Sequence, residues 1–360
     1  MAIPANSTTL NIVLPVGISF YTFQTMSYSL DVYFGKMPPE KKILNFAVFV
    51  SFFPQLVAGP IVRASTFLPQ LKQARTFDLV KIRYLLLLFL IGYIKKACIS
   101  DNIAPFVDSF FATPEDYTAL SAWIGVLLYT IQIYCDFSGY SDMAIACAGF
   151  LGYELCLNFD FPYFSNSITE FWRRWHISLS TWLRDYLYIP LGGNRGSKLF
   201  TYRNLMLTML LGGLWHGAGW NFVIWGGLHG IALIAHREWS KLSQNFSPLG
   251  AIFKLIAPLL TFYWVCFTWI FFRAADFTTA LVIVKSFIFL DASGSEELNK
   301  FLLLFILLLT IVHYAAYRRI TINWWAKTPD WMFSVLCGCI ASLALFFTAP
   351  KYSSFIYFQF

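Results

Sequence analysis

The chain has 360 residues, of which 58% are hydrophobic and 12% charged, against about 45–50% and about 25% in soluble domains. A soluble sphere needs a polar skin that this composition does not supply, and the same numbers exclude a disordered chain or a disulfide-stapled secreted module. The net charge of +7 is unevenly placed: basic residues gather in 63–83 and 173–203, whereas 100–118 and 291–299 contain no Lys or Arg. Basic loops between apolar segments are a positive-inside signature rather than a nucleic-acid surface. The composition therefore describes an all-α, polytopic membrane protein, read as one embedded domain over residues 1–360.

A bilayer core of about 30 Å takes about 20 helical residues to cross. In chain order, the segments 11–34, 84–106, 119–135, 204–219, 221–236, 255–272, 301–317 and 331–348 are expected to cross. Residues 1–10 lack a basic stretch and a small-residue cleavage site, so no signal peptide is expected. The segment 43–62 holds Pro54, Gly59 and Pro60 between basic flanks and reads as a re-entrant hairpin. The segment 140–164 carries Asp142, Glu154 and Asp160 and is expected to be broken in the same way. Residues 279–290 are too few to cross and have Lys285 at their middle, so an interfacial helix is expected. Were they to cross, the acidic 291–299 loop would be cytosolic and Arg318 and Arg319 outside, against the charge rule. Lys95 and Lys96 fall inside a segment expected to cross and would need a cytosolic cavity. The seven cysteines are scattered, and Cys337 and Cys339 alone are too sparse for a zinc site.

The stretch 211–230, LGGLWHGAGWNFVIWGGLHG, contains Gly213-xxx-Gly217 and Gly226-xxx-Gly230, each with a histidine before its last glycine. Glycines at this spacing let helix backbones approach closely in lipid. They would also leave room for a ligand beside His216. A helix starting at Asn204 would carry His216 about 18 Å along, past the midplane. A desolvated imidazole there favours its neutral form and can accept a proton. The competing reading is one hydrogen bond that only holds packing; intramembrane ionisable groups more often serve function. His229 and His236 read as accessory or solvated, and His313 as core packing.

In 169–195, TEFWRRWHISLSTWLRDYLYIPLGGNR, Trp172, Trp175, Leu179 and Trp182 share one helical face while Arg173, Arg174 and Arg184 project elsewhere. Glu170 is placed to pair with Arg174. Two readings stay open: an interfacial helix with a tryptophan belt, or an anion site in which arginine forks meet phosphates. His176 falls between the two faces. No G-x-S-x-G, P-loop, HExxH or GxGxxG occurs, so hydrolase, ATPase and metalloprotease chemistry has no sequence support and no metal site is expected.

LPVGISFYTFQTMSYSLDVY (14–33), FPQLVAGPIVR (53–63), QIYCDFSGYSDMAIACAGFLGY (132–153) and the two stretches above together resemble the membrane-bound O-acyltransferase (MBOAT) family. The nearest branch is that of alginate O-acetyltransferase and the D-alanyl-transfer membrane proteins. Relatives carry further helices before the LPVGISFYTFQ-like motif, so N-terminal truncation is expected, and FIYFQF resembles a natural end. The resemblance implies a helical bundle with re-entrant and interfacial helices around a central tunnel. It further implies transfer of an acyl group, here acetyl, from a cytosolic donor such as acetyl-CoA to a hydroxyl of an extracytoplasmic polysaccharide or of a partner protein. A bacterial inner-membrane location, a periplasmic or extracellular acetyltransferase partner and no bound cofactor go with it.

The family's histidines match His216 and His176, making them the expected catalytic pair, with His216 as base or acyl acceptor. Arg173, Arg174, Arg184, Arg195 and Lys198 are the expected donor-binding group; Trp175, Asp185, Trp215, Asn221 and His229 are expected to line the tunnel. The competing classes are a transporter or channel without chemistry, and a structural subunit of a polysaccharide-modifying complex.

Overall fold

The computed structural model describes residues 17–74, 78–242, 250–319, 324–351 and 355–356. The first part of the expected 11–34 crossing, residues 1–10 and the chain's last four residues lie outside them. Among the described residues the regular structure is helical apart from one isolated bridge between Tyr117 and Glu296.

The principal helices are α1 (Ile18–Tyr33), α2 (Ile43–Ser51), α3 (Leu79–Tyr93), α4 (Asp101–Ala112), α5 (Ala119–Phe150), α6 (Ile168–Arg174), α7 (Ile177–Leu183), α8 (Lys198–His216), α9 (Trp220–Leu242), α10 (Gly250–Arg273), α11 (Phe277–Phe289), α12 (Phe301–Tyr317) and α13 (Asp330–Phe346). By length and composition, α5 and the Leu255–Arg273 part of α10 suffice to cross a membrane. The apolar helices α11, α12 and α13 are shorter than 18 residues.

The central element is α5, started by Thr118, whose side chain accepts a hydrogen bond from Ser121 N–H. Its 32 residues correct the expectation of a crossing at 119–135 followed by a broken segment from Tyr140. The break comes only after Phe150. Asp136 and Asp142 look foreign to an apolar helix, but each is neutralised by a neighbour. Lys96 Nζ lies 2.6 Å from Asp136 and 2.8 Å from Asp101, and Lys95 Nζ lies 2.7 Å from Asp142. The lysines therefore sit in a helix–helix seam, which replaces the expected cavity. A π-helical turn over Ile94–Ser100 joins α3 to α4 and carries both lysines. Close approach in this seam depends on glycine: a Cβ on Gly92 or on Gly139 would meet the other's carbonyl oxygen at 2.6 Å.

The segment 43–62 is α2, an extended Phe52 and a short turn over Phe53–Leu56. The single amphipathic helix expected around Trp172–Trp182 is instead two short helices, α6 and α7, broken at Trp175 and His176. Trp175, Leu179 and Trp182 are buried in the protein core, so they do not form a lipid-facing belt. His176 adopts a left-handed backbone with φ 43°, a conformation uncommon outside glycine and often found where function requires it.

Helix α11 runs about 20 Å at 1.5 Å per residue, short of the bilayer core. Both of its flanks join the same end of the bundle. Arg273 pairs with Asp108 at 2.7 Å, and beyond the helix Glu296 N–H donates to Asp116 O and Leu298 N–H to Ser121 Oγ. Its buried Phe287 packs against Trp123 in the first turns of α5, with ring centroids 4.4 Å apart.

Candidate functional site

Polar groups converge on His176 although it is only 1% exposed. Its Nδ1 lies 3.1 Å from Asn158 Oδ1. Asn158 belongs to the irregular stretch after α5, which runs along the α6–α7 break. Ile177 N–H donates to Asn158 O and Asp160 N–H to Arg174 O, both at 2.9 Å. Ser178 Oγ accepts from Ile61 N–H at 3.0 Å, which ties the Gly59–Pro60 segment to the same point. Phe137 meets the His176 ring edge-on at 4.6 Å, and Phe20 and Phe159 stack on it at 6.3 and 6.4 Å. Among the described residues His176 Nε2 has no hydrogen-bond partner. The result is a buried imidazole hydrogen-bonded through Nδ1 and enclosed by an aromatic wall.

His216 and His176 both neighbour the Trp215 ring. The Trp215 ring centroid is 6.5 Å from that of His176 and 4.8 Å from that of His216. Trp225 and Phe272 meet the His216 ring at 5.1 and 5.0 Å. Ser197 caps α8 by accepting from Phe200 N–H. The helix therefore starts six residues earlier than Asn204, and His216 is its last residue, about 27 Å along rather than 18 Å. The space expected beside it is filled. A Cβ on Gly213 would meet Phe222 O at 2.2 Å, and one on Gly217 would meet the Phe222 ring at 2.3 Å. The glycines close the α8–α9 hairpin instead of opening a pocket. Trp220 is 79% exposed and does not wall the site.

The residues expected to line a tunnel occupy several places. Trp215 neighbours both His176 and His216. Trp175 is buried against Phe171, Tyr163 and Trp269. His229 is fully buried, accepts from Trp172 Nε1 at 3.3 Å and packs on Trp225. Trp225 thus links His229 to His216. Asn221 donates to Ala274 O at 2.9 Å, fastening α9 to the end of α10. His236 contacts Thr169 and Ser240. His313 packs among Tyr134, Phe161 and Phe164.

Asp185 belongs to a separate charged cleft of about 300 Å³ lined by Asp31, Lys36, Arg63, Ser65, Asp185, Tyr186 and Ile189. Arg63 pairs with Asp185 at 3.2 Å and lies 4.3 Å from the Tyr186 ring centroid, with Lys36 5.2 Å from the same ring. Tyr186 donates to Asp31 at 2.8 Å. Burial and this bond raise the Tyr186 pKa, so it stays a phenol. Burial lowers the Arg63 pKa, opposed by Tyr186, Asp185 and Asp31. From the cleft an aromatic series runs inward: Tyr186 to Trp182 at 5.1 Å, Trp182 to Phe23 at 4.1 Å and Phe23 to Trp215 at 5.1 Å.

Three of the expected donor-binding residues have acidic partners of their own. Arg174 is held by Glu170 at 2.9 Å and by Asp160, Arg184 by Asp185 at 2.7 Å, and Lys198 by Glu238 at 2.5 Å. Burial raises the Glu170 pKa, but the Asn166 donors and Arg174 outweigh it and hold the carboxyl below its ordinary value. Arg173 and Arg195 are exposed. Sequence reading missed Asn158, Ser178, Lys36, Arg63 and Tyr186. The basic 63–83 run pointed to Arg63, but no local spacing relates Asn158 to His176.

Residues 40–275 match the family model described as MBOAT, membrane-bound O-acyltransferase family. The chain is 48% identical over 293 residues to a probable alginate O-acetylase AlgI of Azotobacter vinelandii, covering 81% of this chain and 57% of the relative. It is 42% identical over 318 residues to a peptidoglycan O-acetyltransferase of Helicobacter pylori, covering 81% and 60%. A teichoic acid D-alanyltransferase of Streptococcus thermophilus is 28% identical over 253 residues, covering 64% and 59%. The chain thus spans little more than half the length of these relatives.

Proposed function

The chain belongs to the membrane-bound O-acyltransferase family, and from that premise we propose that it transfers an acetyl group from a cytosolic thioester such as acetyl-CoA to a hydroxyl outside the membrane. The acceptor is an extracytoplasmic polysaccharide or cell-wall polymer, reached directly or through a periplasmic or extracellular acetyltransferase partner. The setting is the bacterial inner membrane. The names of the relatives, which refer to alginate, peptidoglycan and teichoic acid, support this class of acceptor.

The observation that supports the reading is that His176 and His216 both lie beside Trp215. A hydroxyl oxygen attacking a thioester carbonyl forms the new C–O bond as the C–S bond breaks. A neutral imidazole of the pair takes the hydroxyl proton and returns it to the departing thiolate. Aromatic walls keep bulk water from the reacting carbonyl. The donor's phosphates engage the basic side of the molecule, at Arg184 and at the adjoining Lys36–Arg63 cleft, and the aromatic series from Tyr186 to Trp215 leads its acyl arm inward.

The test is transfer of labelled acetyl by membranes containing the chain and its native partners. General-base catalysis contributes about 10²–10⁴-fold, so His216→Ala and His216→Gln should both lower turnover by that much with the protein still folded. Gln keeps size and hydrogen bonding but takes no proton near neutral pH. Near-normal transfer by a well-expressed His216→Gln chain would end the assignment of that histidine to the chemistry.

A further inference from the structure

We infer that Asn158 is a positioning residue for acyl transfer: it fixes the tautomer of His176 so that Nε2 is the atom carrying the lone pair. The inference rests on the reading of His176 as part of the reacting pair.

The orientation of the Asn158 amide follows from donors that cannot be reversed. Ser178 backbone N–H points at one terminal atom of the Asn158 side chain at 3.2 Å, so that atom is the oxygen. Ile61 backbone N–H donates to Ser178 Oγ at 3.0 Å. The Ser178 hydroxyl has two acceptors in reach, Asn158 Oδ1 at 2.9 Å and His176 Nδ1 at 3.4 Å; the shorter contact takes its hydrogen, and a hydroxyl donated to Nδ1 instead would leave Nδ1 and Oδ1 as two acceptors facing each other. The amide's other end donates from Nδ2 to Ser141 Oγ at 3.2 Å. All these groups are buried, with Asn158 0% exposed, so a reversed amide would set N–H against N–H away from bulk solvent. The atom facing His176 Nδ1 at 3.1 Å is therefore an acceptor, and Nδ1 must donate to it.

A neutral imidazole has one N–H. With that hydrogen on Nδ1, the lone pair is on Nε2, which has no hydrogen-bond partner among the described residues. His176 thus enters the reaction as a proton acceptor through Nε2, whereas the opposite tautomer would offer a donor there. The left-handed backbone at His176 and the bond from Ile177 N–H to Asn158 O hold the ring to this partner. Orienting partners of catalytic histidines act by selecting tautomer and ring position, and their loss costs up to about 10⁴-fold in turnover.

The tautomer is read directly from ¹⁵N-histidine spectra of the full chain in lipid nanodiscs near neutral pH. The chain has five histidines, and His176 is assigned by difference against His176→Gln. A protonated Nδ1 and an unprotonated Nε2 are expected; a protonated Nε2 overturns the inference, whatever any variant does. In acetyl transfer, Asn158→Leu should lower kcat by about 10²–10⁴-fold with donor KM within about twofold. Asn158→Asp keeps an acceptor toward Nδ1 and should hold kcat within about tenfold of the parent. If both variants merely reduce the amount of folded protein, with kcat per folded molecule unchanged, Asn158 is structural and the inference fails. If the tautomer is as expected but His176→Gln transfers normally, the orientation by Asn158 stands and the role of His176 in the chemistry falls.

Discussion

Lys96 and Asp136 meet at 2.6 Å between α3–α4 and α5, and Asp101 closes the same group at 2.8 Å from the lysine. All three are buried, and Asp136 also accepts from Ile356 N–H at 2.8 Å. This group binds the chain's final described residues to the central helix, and Phe355 there packs on Phe137, whose ring meets His176.

Removing one member of such a group leaves uncompensated charge in a dry seam, at a cost of about 3–5 kcal/mol. Lys96→Leu should therefore sharply reduce folded protein, measured as monodisperse yield and melting temperature in detergent. Lys96→Leu combined with Asp101→Asn and Asp136→Asn should recover much of the loss. A Lys96→Leu protein as stable as the parent would show that the group contributes nothing to folding.

The charged cleft predicts a binding defect separable from chemistry. Arg63→Gln should raise the apparent KM for acetyl donor several-fold while leaving kcat within about twofold, and donor KM of the parent should rise with salt. Arg174→Gln, whose parent residue is occupied by Glu170 and Asp160, should affect stability more than donor KM. An unchanged donor KM in Arg63→Gln would remove the cleft from the donor path.

Gly213 and Gly226 are set against backbone: added Cβ atoms would meet Phe222 O at 2.2 Å and Met209 O at 2.3 Å. Backbone cannot swing aside as a flexible side chain can. Either residue changed to Ala should cost about 1–3 kcal/mol and displace His216 by parting α8 from α9. Gly227→Ala, whose nearest neighbour would be a Leu210 methyl at 3.6 Å, is the control and should be near neutral in the same melting assay.

Both flanks of α11 attach to the α4–α5 end of the bundle, so cysteines introduced at Asp276 and Glu296 should label from one side of the membrane. Labelling from opposite sides would require α11 to cross, against its length of about 20 Å.

Composition and charge placement alone marked the chain as a helical membrane protein, because a chain this poor in charge has no polar surface to offer water. The glycine frames singled out His216 as a candidate, since an ionisable residue in apolar surroundings is visible one position at a time, whereas His176 became a candidate only through the family resemblance. The helix limits of α8 were less legible: Ser197 caps the helix seven residues before Asn204, which moved His216 from about 18 Å along the helix to its last residue. The 32-residue course of α5 was hidden for a related reason. Asp142 reads as a helix-disrupting charge until Lys95 is brought beside it from outside the helix. Only tertiary structure could place Asn158 on His176, 18 positions away, or Arg63 on Asp185, 122 away. Those contacts depend on the break between α6 and α7 and on the irregular stretch after α5. There, hydrogen bonds to distant backbone set the conformation, and no local periodicity encodes it.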